Sequence, residues 1–100
     1  MIKMEIAKLE SKAEEATILL TAMANPKRLL ILCELLEGEK NVTELGDRVA
    51  LAQSPLSQHL SKLRAWNMVK TRREAQQVYY SIASEDVRQI LETLYRIYCA

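Results

Sequence analysis

The sequence predicts a mainly α-helical fold with a small β-hairpin, organised as a winged helix-turn-helix, and three observations predict it. Two short helix patterns follow one another between residues 41 and 64, each with a capping signal at its start. Two segments rich in β-branched and aromatic residues come next, at residues 68–74 and 77–82. Longer amphipathic helix patterns flank this unit. The length is that of a single domain over residues 1–100 with a modest core.

The first helix is expected to end near Ala24, because the residue before a proline avoids the α region and Asn25-Pro26 follows. Its apolar residues alternate spacings of four and three, a heptad-like stripe typical of helices that pack on another helix. Ile18 and Leu19 are expected to widen the stripe toward the core. The members of the stripe are Ile2, Ile6, Leu9, Ala13, Ala16, Leu20 and Met23.

The second helix is predicted to begin at Pro26, capped by Asn25, and to stop at Gly38. The last helix is predicted to start at Ser84, with two acidic residues in its first turn. Both terminal helices carry more apolar surface than a monomer needs, so a homodimer through them is favoured over packing within one chain. The apolar sides comprise Leu29, Leu30, Leu32, Cys33 and Leu36 in the second helix and Val87, Ile90, Leu91, Leu94, Ile97 and Tyr98 in the last.

The two short helices in the middle predict the helix-turn-helix. Asn41-Val-Thr-Glu44 resembles a capping box for the first of them. Ser54 is expected to cap the second, with Pro55 at its first position, after a turn near residues 51–53. The inward-facing residues are expected to be Val42, Leu45 and Val49 in the first and Leu56, Leu60 and Leu63 in the second.

The outer face of the second short helix suggests a function. Its side chains are hydroxyls, an amide and an ammonium group, whereas an ordinary solvated face mixes both charge signs. Such a face suits contact with base edges and phosphates in the major groove of double-stranded DNA. His59 flanks the buried stripe and is interpreted as a packing or DNA-facing residue rather than a ligand. The face consists of Ser54, Ser57, Gln58, Ser61 and Lys62.

The hairpin is interpreted as a wing with Arg72, Arg73, Gln76 and Gln77 near its tip. Residues 53–82 contain five Lys and Arg against one Glu, whereas the rest of the chain contains nine against twelve acidic residues. The overall charge of +1 therefore hides a basic patch on the helix and hairpin, which favours DNA binding. A basic surface on an ordinary α+β domain is the weaker alternative.

Other classes of function are disfavoured. No Cys-His or Ser-His-Asp set is spaced as a nucleophile with its base, and no glycine-rich phosphate loop occurs, so neither an enzyme nor a cofactor is expected. The chain has no long uncharged apolar run and no signal-peptide core, which predicts a cytoplasmic protein without a membrane partner, whose thiols stay reduced. A protein-interaction module that uses the apolar terminal helices remains as an alternative.

Four segments resemble the ArsR/SmtB family of bacterial winged-helix repressors, over about residues 16–99. The resemblance implies the order helix, helix, helix, helix, strand, strand, helix, and a homodimer through the first and last helices. It also implies that the second short helix and the wing bind a palindromic promoter operator until an inducer weakens the complex. The segments are Ala22-Met-Ala-Asn-Pro-Lys-Arg-Leu-Leu-Ile31, Glu44-Leu45, Gln53-Ser-Pro-Leu-Ser-Gln-His-Leu-Ser-Lys-Leu-Arg64 and Tyr79-Tyr80.

The metal sites common in that family are not matched. The thiol-rich metal motif of the family aligns here with Glu44-Leu45-Gly46-Asp47-Arg48, which has no cysteine. No histidine follows His59, so no bound metal is expected. Cys33 and Cys99 look instead like the dithiol branch of the family, which senses reactive sulfur species and oxidants. In that branch a disulfide or polysulfide bridge between the two thiols releases DNA. The alternatives are inert core thiols with control by another ligand, or action as an antirepressor.

Overall fold

The computed structural model describes residues 5–100 and confirms the winged helix-turn-helix. Ile2, the first member of the predicted apolar stripe, lies outside the described residues. The hairpin follows the four helices, as predicted, and a short strand that was not predicted precedes the third helix. The elements are α1 (Ile6–Met23), α2 (Pro26–Glu37), β1 (Lys40–Asn41), α3 (Val42–Val49), α4 (Gln53–Ala65), β2 (Val69–Glu74), β3 (Gln77–Ile82) and α5 (Glu85–Tyr98).

The junction of α1 and α2 forms as the sequence predicts. The Asn25 side chain accepts hydrogen bonds from the backbone N–H groups of Lys27 and Arg28, each at 3.0 Å, and Pro26 occupies the first helical position. Gly38 ends α2 with a φ of 154°, where a residue without a side chain is favoured.

The predicted apolar side of α2 is partly wrong. Ile31, Leu32 and Leu35 are buried, whereas Leu30 and Cys33 are exposed. Successive helical residues are about 100° apart, so a helix that turns Ile31 and Leu35 into the core turns Leu30 and Cys33 outward. In α1 the same correction applies to Ile18, which is exposed rather than directed to the core.

A complete capping box begins α3. The Asn41 side chain accepts from the Glu44 backbone N–H, and the Glu44 carboxylate accepts from the Asn41 backbone N–H, both at 2.9 Å. The helix ends at Ala50, whose φ of 55° is left-handed. Lys27 Nζ donates to the Val49 carbonyl at 2.7 Å, which satisfies one of the unpaired carbonyls at this helix end and ties α2 to α3.

The prediction that Ser54 caps α4 is wrong. The Leu56 backbone N–H already donates to the Ala52 carbonyl at 3.1 Å, so the helix starts at Gln53 and the cap position falls on Ala52. Ser54 and Pro55 are then the second and third helical residues. A proline is tolerated there because the first-turn N–H groups of a helix have no intrahelical partner.

The wing is the β2–β3 hairpin, closed by the two-residue turn Ala75–Gln76. Strand β1 pairs antiparallel with β3, on the edge of the hairpin away from β2. Lys40 lies opposite Tyr80 and Asn41 opposite Tyr79, which gives the strand order β1-β3-β2. Two residues are too few for a period-two pattern, so the sequence did not reveal this strand.

One hydrophobic core lies beneath the helix-turn-helix, the sheet and α5. Gly46 of α3 lies against the turn that leads to α4, because an added Cβ would lie 3.1 Å from the Leu51 carbonyl oxygen. The Ser84 hydroxyl accepts from the Val87 backbone N–H at 3.2 Å and starts α5 as predicted. The core consists of Ala22, Met23, Ile31, Leu32, Leu35, Leu45, Val49, Leu56, Leu60, Leu63, Met68, Val69, Ile82, Val87 and Leu91.

Within residues 5–100, no single helix has both the length and the apolar character needed to cross a membrane. Taken together, α1 and α2 reach that length and composition, but their axes are bent by 93° at the junction.

Candidate nucleic-acid interface and thiol cleft

The outer face of α4 is an open polar surface, opposite the buried stripe of Leu56, Leu60 and Leu63. All five residues that the sequence assigns to this face are exposed, and Gln53 from the first turn joins them around one shallow groove. Hydroxyl and amide groups can both donate to and accept from base edges, and an ammonium group can meet a phosphate. The groove is lined by Gln53, Ser54, Ser57, Gln58, Ser61 and Lys62.

His59 lies at the border of this face and is half-buried. Its Nδ1 atom is enclosed, with no hydrogen-bond partner within the described residues. Burial lowers the pKa of His59, and the positive charges of Arg28 and Lys62 lower it further. A lowered pKa favours the neutral imidazole, and partial burial distinguishes His59 from Gln58, which is exposed.

Arg28 is a structural residue that the sequence reading missed. It is only 8% exposed, although it carries a full charge. Its Nε donates to the Ala22 carbonyl and its Nη2 to the Thr21 carbonyl, both at 2.9 Å, so it caps the C-terminal end of α1. Arg28 lies three residues before Ile31, on the same face of α2, and this spacing could have indicated that Arg28 is buried.

The wing presents exposed polar and basic groups at its tip. Arg73 lies opposite Val78, and Gln77 lies opposite Glu74 at the last pair before the turn. Arg73, Gln76 and Gln77 are all exposed, as the sequence predicts for residues near the tip. The hairpin follows α4 directly, and its strand β2 packs against that helix.

Arg72 has a different environment from Arg73. Its guanidinium donates to both carboxylate oxygens of Glu39, through Nε at 3.2 Å and through Nη2, and its Nη1 donates to Glu74 at 2.7 Å. The guanidinium also lies over the Tyr79 ring, 4.8 Å from its centre. Hydrogen bonding to Glu39 and then Glu74 raises the pKa of Arg72, and the same bond to Arg72 lowers the pKa of Glu39. The sequence did not indicate that Arg72 is ion-paired.

Cys33 and Cys99 line one apolar cleft between α2 and α5, which we call the thiol cleft. Its volume is about 650 Å³. Both residues are free thiols and both are exposed, so the reading of them as buried core cysteines is wrong for the isolated protomer. The remaining lining residues are Leu29, Leu30, Leu36, Glu37, Leu91, Glu92, Leu94, Tyr95, Arg96 and Tyr98.

The surroundings of Cys33 disfavour its thiolate form. Partial burial raises its pKa, and the negative charges of a Cys99 thiolate and of Glu34 raise it further. Cys33 and Cys99 therefore share both a cleft and an electrostatic environment. Among residues 5–100, no three His, Cys, Asp or Glu side chains are grouped as a metal site would require.

Comparison with known proteins gives a consistent match. Residues 25–71 match the model of the family described as "Bacterial regulatory protein, arsR family". The chain is 48% identical to the transcriptional activator HlyU of Vibrio cholerae over 96 residues, which is 96% of this chain and 89% of that protein. The structure of reduced HlyU from this species superimposes with a TM-score of 0.88 at 48% identity, covering 93% of this chain and 98% of the other.

Two further solved structures are similar. The transcriptional repressor BigR of Xylella fastidiosa superimposes with a TM-score of 0.90 at 37% identity, covering 97% of this chain and 99% of the other. The homodimeric winged helix-turn-helix DNA-binding domain of a possible ArsR-family regulator of Mycobacterium bovis gives a TM-score of 0.79 at 28% identity, covering 97% and 89% of the two chains.

Proposed function

This chain belongs to the ArsR family of bacterial regulatory proteins, and we propose that it acts as a dimeric repressor that releases its operator when Cys33 and Cys99 become linked. That it is a DNA-binding transcriptional regulator and not an enzyme follows from the family. The finer parts of the proposal concern which residues touch DNA, which helices form the dimer, and which chemistry ends repression. We also propose that residues 1–100 form one domain.

The DNA contacts follow from the exposed face of α4, which is the observation that carries the proposal. Ser57, Gln58 and Ser61 would contact base edges in the major groove, because their groups can match the donor and acceptor pattern of a base pair. Lys62 and Arg73 would contact phosphates, which supply affinity without sequence preference. Ser54, Gln76 and Gln77 lie at the edges of this surface and complete it.

The homodimer would form through α1 and α5. Leu20 of α1 is 60% exposed, and Ile97 and Tyr98 of α5 are 63% and 80% exposed. Large apolar residues at such exposure favour association, and a relative of the same fold is described as homodimeric. A two-fold dimer would present its α4 helices to two half-sites about 34 Å apart, the spacing that a palindromic operator provides.

The inducer would be a reactive sulfur species or an oxidant that acts in the thiol cleft. A persulfide donor RSSH transfers its outer sulfur to one cysteine, which becomes Cys–SSH as the thiol RSH leaves. The thiolate of the second cysteine attacks the cysteine-bound sulfur of this group, and HS⁻ leaves as the disulfide forms. With a trisulfide donor RSSSR, the thiolate of one cysteine attacks the central sulfur and displaces RS⁻ to give Cys–SSSR, whose first sulfur belongs to the cysteine. The thiolate of the second cysteine attacks the middle sulfur of this group and displaces a second RS⁻, which leaves a trisulfide bridge and two thiolates derived from the donor.

Linking the cysteines would act on DNA through the helices that carry them. Cys33 belongs to α2, which contacts α3 of the helix-turn-helix, and Cys99 ends α5 of the proposed dimer interface. A bridge would fix the interface helix against the DNA-binding unit and alter the spacing of the two α4 helices. Couplings of about 1–3 kcal/mol are typical of such linkage. The exposure of both thiols supports this role over that of inert core residues.

The experiment that tests the proposal is titration of the protein against its own promoter fragment at several salt concentrations, before and after treatment with a persulfide donor. We expect binding that weakens with salt and is lost on treatment, with a cysteine-linked peptide pair found by mass spectrometry. A stable complex with another protein and no shift of DNA at any salt concentration would favour the protein-interaction module instead. Loss of DNA binding without any change at the cysteines would leave the repressor but refute the thiol switch.

A further inference from the structure

We propose that Glu39, Arg72 and Glu74 form a latch on the wing that withholds the Arg72 guanidinium from DNA phosphates, so that Glu39 limits the affinity of the protein for DNA of any sequence. We call these three residues the wing latch. The inference rests on the proposed DNA-binding function and adds a residue, Glu39, that lies outside the helix-turn-helix and the hairpin.

In the wing latch, the Arg72 guanidinium has neighbours on several sides. Glu39 engages the Nε and Nη2 edge with both carboxylate oxygens, a bidentate arrangement, and Glu74 engages Nη1. The ring of Tyr79 covers one face of the group at 4.8 Å. An isolated exposed ion pair contributes little, but a bidentate arginine within a network is the arrangement in which surface pairing persists.

The topology makes this pairing a bridge across the sheet. Arg72 on β2 lies opposite Tyr79 on β3, and Tyr79 lies opposite Asn41 on β1. Glu39 directly precedes β1, so its bond to Arg72 passes over β3 and joins the two outer strands. Thirty-three residues separate the partners along the chain. The wing is thereby fastened to the connection that follows α2.

The charge of the wing latch explains its proposed effect on DNA. Two carboxylates surround one guanidinium, so the cluster has a formal excess of one negative charge. Lys70, two residues before Arg72 in β2, adds a cation to the same face of the strand. A phosphate that approaches Arg72 must displace Glu39 or accept repulsion from it. Removing the Glu39 charge without changing the shape of the side chain should free Arg72 for a phosphate contact.

The test is the variant Glu39→Gln in the full chain, with binding to the promoter fragment and to a random duplex measured between about 50 and 200 mM salt. We expect the affinity for the random duplex to rise roughly threefold to tenfold at the lower salt concentration, and the salt slope to steepen by about one for each protomer on the DNA. Affinity for the promoter should rise no more than this, so discrimination between the two duplexes stays equal or falls.

Two controls separate the wing latch from a general effect of charge. Glu14→Gln on α1 makes the same charge change away from the wing and should leave both affinities within about twofold of the parent. The double variant Glu39→Gln with Arg72→Gln should show no gain over Arg72→Gln alone, because the freed cation is then missing.

The outcomes are decisive in each direction. A Glu39→Gln protein that binds like Glu14→Gln, or that binds all DNA more weakly, would overturn the wing latch. So would an equal gain in the Arg72→Gln background. Each of these three results leaves the proposed repressor intact. A parent protein without salt-dependent binding to either duplex would overturn the proposed function, and the wing latch with it.

Discussion

The guanidinium of Arg28 lies 5.3 Å from the centre of the Trp66 ring, so a buried cation in α2 stacks on the residue that ends α4. The same group holds the last carbonyls of α1 through Thr21 and Ala22. One side chain thus joins a helix of the proposed dimer interface to the end of α4, the helix proposed to contact DNA. The positive charge of Arg28 also lowers the pKa of His59, the single histidine of the chain, which favours the neutral form of that side chain.

The state of His59 predicts how stability depends on pH. Burial and the charge of Arg28 lower the pKa of His59 in the folded protein, while the unfolded chain has the ordinary pKa of about 6.5. The unfolded state therefore binds more protons, and this contribution to stability is complete above about pH 6.5 and is lost as the pH falls through the folded pKa. His59→Gln should show a smaller loss of stability between about pH 7 and pH 5, measured by urea denaturation at each pH.

Since the variant and the parent share all of their carboxylates, the difference between their two curves isolates the histidine. Parallel curves over this range would show that the environment of His59 does not perturb its proton affinity.

Gln58 is predicted to read a base. Gln58→Ala should weaken binding to the promoter fragment by about 1–3 kcal/mol, and the loss should shrink when the contacted base pair is changed. Competition of promoter variants, one base pair at a time, measures both effects. Gln89→Ala on the exposed side of α5 is the matched control and should leave the affinity unchanged. An equal effect of Gln58→Ala on every base-pair variant would place this residue away from the base edges.

Arg73 is predicted to contact a phosphate rather than a base. Arg73→Ala should weaken promoter and random duplexes alike and flatten the salt slope by about one for each contact removed. Binding isotherms at several salt concentrations give this slope directly. Lys12→Ala on α1 removes the same charge from an exposed residue outside the wing and should leave the slope as it is. A loss confined to the promoter would contradict a contact that is independent of sequence.

Cys33 and Cys99 are predicted to act as one unit. Cys33→Ser and Cys99→Ser should each bind the promoter like the parent and no longer release it after persulfide treatment, because a bridge needs both sulfur atoms. Release is followed by fluorescence anisotropy and the bridge by mass spectrometry of the digested protein. Lys12→Ser should behave like the parent in both assays. Release of DNA by either cysteine variant would refute the two-cysteine switch.

The local signals of the chain were sufficient for most of its elements. The Asn25-Pro26 start of α2, the capping box of Asn41 and Glu44, and the Ser84 start of α5 all depend on atoms within three residues of one another. The buried stripe of α4 likewise follows from spacing alone. These interactions are set by the backbone geometry of a single helix, which is why a sequence reveals them.

Ser54 shows that a local sequence pattern can misplace the start of a helix. A serine before a proline satisfies the pattern of a cap, yet the backbone bond from Leu56 to Ala52 extends the helix back beyond it. Burial of Leu56 fits either start, so the serine and proline pattern could not distinguish the two, and the backbone bond identifies the observed start.

By itself, the sequence determined the helix-turn-helix, its acid-free outer face and the hairpin, since periodicity, caps and composition act over a few residues. The tertiary structure decided the relations between distant residues: the pairing of β1 with β3, the burial of Arg28 among carbonyls and Trp66, and the bond between Arg72 and Glu39. It also decided that Cys33 faces outward, in one cleft with Cys99. These relations depend on how helices rotate and strands align against one another, and that is settled by core packing rather than by any local pattern.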